Sequence, residues 1–275
     1  MRTQFGWTLA LAAASAVVLA AASGAALAQG GEARADSKAP SPDPRNLEGV
    51  WFITHASHLN RDQSVGYGRE SPDKELTHSR VLWPIDHKSP PFTAWGQKEF
   101  NAHFNGNLHN QPIADPSTNC IPHGMPRIMI SPYPMQIVQS KGLITMLFEV
   151  NHNIRLIHMG QPLPQKVSLT QNGYAVGHWD GDTLVIETTG ISKSGIFDEI
   201  GTPHSDELKV TERIRKVDGG KTLEDVFTFE DPIAFSKPWQ AREILAWRPD
   251  IQLMEYVCEE NNRNWADASG KTTAK

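Results

Sequence analysis

The chain has 275 residues, a formal net charge of -5 and 39% hydrophobic residues. This mildly acidic balance, with no Lys/Arg cluster, argues against nucleic acid or an anionic membrane as partner.

Met1 to Trp7 carry one positive charge, Arg2, and an Ala-, Val- and Leu-rich run follows from Thr8 to Ala28. Ala26-Leu27-Ala28 before Gln29 is the small-x-small pattern of a signal-peptidase site. Residues 1–28 therefore read as a signal peptide rather than an anchor, and the protein is expected in the periplasm or secreted. No cysteine follows the site to take a lipid and no twin arginine precedes the run. No second apolar run reaches spanning length, so no membrane partner is expected after cleavage. Residues 29–45 are rich in Gly, Ala, Ser and Pro and read as a disordered linker.

The domain is expected over residues 46–266, with a frayed tail at 267–275. Val50 to Thr54 opens it as a short strand. Residues 60–118 are polar and rich in His and Pro, and read as a long irregular, lid-like insertion. Phe92 to Phe100 is the one passable helix in that stretch. From Pro134 onward the periodicity is two. Strands are predicted at Met135 to Gln139, Leu143 to Val150, Ile154 to Met159, Tyr174 to Trp179 and Thr183 to Thr188. Four more follow at Leu208 to Val217, Thr222 to Phe229, Gln240 to Trp247 and Ile251 to Cys258. Asp180-Gly181-Asp182 reads as a type I′ hairpin turn. About ten strands in successive hairpins and no long helix predict a mainly β fold. The expected architecture is one up-and-down antiparallel β-barrel. In an oxidising compartment the only two cysteines, Cys120 and Cys258, are most simply a disulfide. It would close a loop of about 138 residues and add about 3–5 kcal/mol. A nucleophilic cysteine is the rival reading.

Strand alternation shows which polar side chains share an apolar face. Glu212 falls with Leu208, Val210 and Ile214; Asp225 with Leu223, Phe227 and Phe229; Glu243 with Trp239, Ala241 and Leu245; Glu149 with Leu143 and Leu147. An inward carboxylate costs several kcal/mol unless it is paired or protonated. A raised pKa would suit it to acid/base work or to holding a polar ligand group. Pairing with an inward arginine, Arg155 or Arg242, would explain each acid without function. His178 lies on the face of Tyr174 and Val176, and His204 sits in the loop leading into the Glu212 strand. Neither position excludes a satisfied structural histidine. The chain has eleven His, but no His-x-His and no HExxH, so no metal site is expected. GxSxG, Walker, GxGxxG and CxxCH motifs are also lacking, so no cofactor is expected. Asp180 and Asp182 are accounted for by the Asp-Gly turn. Eight Trp suit an aromatic ligand pocket and plain core packing equally.

Two resemblances add to this. Asn46-Leu-Glu-Gly-Val-Trp51 resembles the Gly-x-Trp opening of lipocalin-type barrels, which implies a Trp plugging a closed end. Three further stretches are Asp115 to Gln136 with its Cys120-Ile-Pro-His-Gly-Met-Pro-Arg127 core, Gly177-His-Trp-Asp-Gly-Asp-Thr-Leu-Val185, and Pro203-His-Ser-Asp-Glu-Leu208 running on to Trp239. They resemble a large family of secreted proteobacterial and acidobacterial proteins over nearly all of the mature chain. That resemblance implies an exported single domain and transfers no catalytic residue. Relatives often carry Ser-x-Gly-Arg-Trp where this chain has His178-Trp179.

The expectation is thus a periplasmic barrel acting on a small hydrophobic or aromatic molecule by cofactor-free acid/base chemistry, as a lyase, isomerase, cyclase or hydrolase. Glu212 is the first choice as base or acid, with His178 or His204 as counterpart and Arg155 stabilising an anion. Glu149, Trp179, Trp239 and Glu243 are expected to line the ligand site. The alternatives are a carrier of a lipid-like, aromatic or haem-like ligand, and an interaction module of the cell envelope.

Overall fold

The structure is a computed structural model that describes residues 39–53, 82, 84–86, 88–108, 115–258, 264–266 and 272–274. The expected signal peptide, the expected linker up to residue 38, and much of the 60–118 stretch and of the expected tail lie outside the described residues. Every element below belongs to the unit Ala39–Lys275.

Nine strands form one closed barrel: β1 (Gly49–Ile53), β2 (Met135–Ser140), β3 (Leu143–Phe148), β4 (Ile154–Met159), β5 (Tyr174–Asp180), β6 (Thr183–Thr189), β7 (Lys209–Val217), β8 (Thr222–Glu230) and β9 (Trp239–Trp247). Strand neighbours follow chain order, and β1 closes the ring between β2 and β9. All neighbours are antiparallel except β4 and β5. Those two run parallel, joined only at Ile157↔Ala175, His158↔Val176 and Met159↔Gly177. A parallel neighbour needs a long return rather than a hairpin, and residues 160–173 supply it. The turn between β5 and β6 is tight, but of its two central residues only Gly181 is left-handed, at φ +58. A type I′ turn needs both to be left-handed.

The expected strand from Ile251 to Cys258 is not a strand. Arg248 and Asp250 pair across the turn that ends β9. The segment after it is fixed from outside the barrel ladder. Met254 N–H donates to Glu149 Oε2 at 2.8 Å, Tyr256 N–H donates to His152 Nε2 at 3.2 Å, and Cys258 is bonded to Cys120. The disulfide pairing is the expected one. Beyond it, β10 (Asn264–Ala266) pairs with β11 (Thr272–Ala274) in a separate ribbon.

Alternation packs the barrel axis. Trp51, Met146, Ile157, Ile186, Ile214, Leu223 and Phe227 are all fully buried, so the interior is filled with side chains as small barrels require. The Trp51 indole N–H donates to Leu47 O at 2.9 Å, which satisfies its one donor inside the core.

At the other end of β8 and β9 lies α1 (Ala94–Leu108). Thr93 caps it, its hydroxyl accepting from Gly96 N–H at 3.0 Å. Phe92 bridges to Phe235 in the loop after β8. There Phe197, Phe229, Phe235 and Trp239 form one aromatic cluster, with Phe229 and Trp239 centroids 4.6 Å apart. The aromatic residues at this end are packed against one another. Among the described residues no helix is long and apolar enough to cross a membrane.

Candidate functional site: an acid cluster inside the barrel and a cleft at its parallel seam

β7, β8 and β9 each place one carboxyl on the inner face. On β7 it is Glu212, between buried Val210 and Ile214; on β8 Asp225, between Leu223 and Phe227; on β9 Glu243, between Ala241 and Leu245. The register sets Asp225 directly opposite Glu243 on one side and Ile214 on the other. Glu212 and Asp225 are wholly buried. Neighbouring strands therefore concentrate three acids in a low-dielectric interior, where an unpaired charge is costly.

One cation answers them. Arg155 stands on the inner face of β4, 1% exposed, and reaches across the barrel to β7. Its Nη1 donates to Glu212 Oε1 at 2.8 Å and its Nη2 to Glu212 Oε2, a two-pronged pair. Nη2 also donates to the buried Thr188 hydroxyl at 2.9 Å, and Nη1 lies 3.6 Å from Met129 Sδ. The Nε of Arg155 is buried without an acceptor.

The other two acids have no cation of their own. Asp225 has no donor for either carboxylate oxygen. Burial, then the adjacent Glu212 charge, hold its pKa well above the usual carboxylate range; Arg155 offsets only part of this. Burial pushes Glu243 up to about 7, against the Ile244 N–H that donates to its Oε1 at 3.0 Å. The cluster therefore holds one ion pair, one acid whose protonated form burial favours, and one acid that titrates near neutral pH.

Of these four residues, Arg155 also lines a surface cleft, at the parallel seam. Before Ile157 and Ala175 the two strands part, and a cleft of about 410 Å3 opens there with Arg155 in its wall. Exposed Ile154 and Leu156 supply apolar surface, and the His158 and Tyr174 rings stack at 4.7 Å. Asn172 Nδ2 donates to Asn153 Oδ1 at 2.7 Å and to Ile154 O at 3.1 Å, while its buried Oδ1 has no donor.

The other expected site residues lie elsewhere. His178 is exposed, because the inward face of β5 is Ala175, Gly177 and Trp179 rather than Tyr174 and Val176. His204 is buried against Phe197 in the loop before β7, its ring nitrogens near Ser205 O and Gly195 O. Burial lowers its pKa, and no hydrogen bond joins it to Glu212. Glu149 has left β3 for a 3-10 turn and accepts from Met254 N–H, away from the other acids. Trp179 is half-buried under the Arg45 guanidinium, 5.8 Å from its ring centre. Trp239 belongs to the aromatic cluster, and its indole N–H has no acceptor. Thr188 was not singled out by the sequence. A threonine in a strand gives no sign that its hydroxyl meets an arginine from a non-neighbouring one.

Comparison with protein-family models, with curated proteins and with solved structures finds no match.

Proposed function

We propose that this protein is an exported β-barrel enzyme that takes a small apolar or aromatic molecule at the β4–β5 cleft and moves protons on it. Asp225 acts as the acid, Glu243 exchanges the proton, and Arg155 steadies negative charge that develops on the ligand. Glu212 is not the base in this reading, because both its oxygens are committed to Arg155; it positions that cation. The observation that carries the proposal is Asp225, a wholly buried carboxyl with no donor beside an intact ion pair. Burial without donors favours the protonated form of such a carboxyl, the form a general acid needs. The disulfide and the apolar N-terminal run that ends in a small-x-small site support export.

The test is proton exchange. Small aromatic and aliphatic ketones, lactones and esters are incubated with the oxidised protein in deuterated water. Deuterium uptake and product formation are then followed by NMR. Asp225→Asn and Glu243→Gln are each expected to slow exchange about 10²–10⁴-fold while keeping ligand affinity. Equal exchange rates in native and variant protein reject the reading. Binding without exchange in any of them replaces it with the carrier.

A further inference from the structure

Trp95, Glu99 and His103 follow one another at four-residue intervals along α1, which places them on one stripe of the helix. All three line a cleft of about 210 Å3 between α1 and the loop that runs from Lys193 to His204. This cleft is separate from the β4–β5 opening and shares no lining residue with it.

The loop is shaped around the histidine. His103 Nδ1 lies 2.8 Å from Gly201 O, and a carbonyl only accepts, so Nδ1 carries the hydrogen. In the neutral ring that leaves Nε2 as an acceptor. Gly201 has φ +84, and a Cβ there would stand 2.6 Å from His103 Cβ. Any side chain at that position would displace the imidazole.

Charge and surface then select the occupant. Lys193 is the cation in the lining, and Asp206 faces its ammonium at 3.7 Å. His204 is held neutral by burial, with Asp206 and Asp231 the charged groups that pull the other way. Among the described residues that line the cleft, the uncompensated charge is therefore the Glu99 carboxylate. One turn before it, Trp95 is 40% exposed, a large aromatic face turned to solvent. An aromatic face, a carboxylate and a nitrogen acceptor in successive helical turns are what a flat cation needs.

We propose that this cleft binds a planar organic cation of the amidinium or guanidinium class, its face on Trp95, its charge on Glu99 and one N–H on His103 Nε2. Benzamidine and benzoate are the matched probes, alike in shape and opposite in charge. Each is titrated into the full oxidised protein at neutral pH by calorimetry, with the shifted indole and imidazole signals mapped by NMR. Benzamidinium is expected to bind and benzoate not. Glu99→Gln is expected to weaken benzamidinium about tenfold or more, and Trp95→Ala to weaken it comparably. Both sites are at least partly exposed, so the fold should tolerate these changes, and unchanged thermal unfolding confirms it. His103→Gln keeps an acceptor and is expected to retain more affinity than His103→Leu. Benzoate binding as well as benzamidinium, no benzamidinium binding at millimolar concentration, or indifference to Glu99→Gln would each overturn the proposal.

Discussion

Asp225 and Asp231 sit close together in sequence, and both are almost wholly buried, yet the barrel treats them in opposite ways. Asp231, where the chain leaves β8, collects Ser205 N–H at 2.5 Å, the Ser205 hydroxyl at 2.9 Å, Ile233 N–H at 3.0 Å and Ala234 N–H at 3.1 Å. Asp225, in the middle of the barrel, has no donor at all. At the barrel end a carboxylate is used as structural glue, tying the loop before β7 to the loop after β8. In the middle a carboxyl is kept in a place where structure alone does not want a charge. Burial by itself does not mark a functional acid. Burial without donors is what the proposed role of Asp225 rests on.

The sharpest way to break this contrast is to remove the partner of Arg155, the cation inside the barrel. Glu212→Leu leaves Arg155 uncompensated in the interior and is expected to cost about 3–5 kcal/mol in denaturant unfolding. The same change should let Asp225 ionise in its place, seen as loss of a protonated-carboxyl band in the infrared. A persistent band would show that Glu212 does not hold the proton there.

Asp231→Ala should come next, stranding several buried donors at a cost on the order of 3 kcal/mol. A much smaller loss would mean that water replaces the carboxylate, and the end and middle of the barrel would no longer differ.

The third test is pH. Glu243 has a folded pKa of about 7 against an ordinary value of 4.5, so the folded state binds more protons than the unfolded one between them. Stability is therefore greatest at the acid side of that window and falls by roughly 3 kcal/mol as pH rises through it. Glu243→Gln should flatten this slope.

The barrel end titrates with the opposite sign. Burial lowers the His204 pKa below 6.5, so its contribution is present above that value and is lost as pH falls through it. His204→Gln should remove this loss, measured as a smaller drop in unfolding free energy on acidification. The smallest effect is expected from Asp225→Leu, neutral or stabilising by about 1 kcal/mol because it removes a buried group that nothing satisfies. A large loss there would make Asp225 a structural acid like Asp231.

The sequence was most readable where period two is clean. On β7, β8 and β9 buried residues alternate with half-buried or exposed ones, so the inward placement of Glu212, Asp225 and Glu243 can be read from the pattern. On β5 three consecutive residues are buried, Ala175, Val176 and Gly177; a strand covered on both faces blurs the alternation, so the face that His178 shares with Tyr174 and Val176 reads as inward although His178 is exposed. Glu149 was misplaced because period two stops at the end of β3. Which acid Arg155 would choose was not legible either. β4 and β7 are not neighbours in the sheet, so the pair forms across the barrel rather than along a ladder. The segment from Ile251 to Cys258 has the composition of a strand, but a disulfide and two side-chain acceptors on another loop hold it instead.

β1 gives the barrel a peculiar order in time. Five residues long, it joins β2 over Gly49 to Trp51 and β9 over Trp51 to Ile53, and among the described residues nothing else closes the ring. Without it β2 to β9 make an open sheet with two bare edges, each free to pair with another chain. The first strand to be synthesised is thus the last that can seat, since one of its partners is the final strand of the barrel. Until β9 has emerged, the growing chain carries its own closing piece with only half a place to put it.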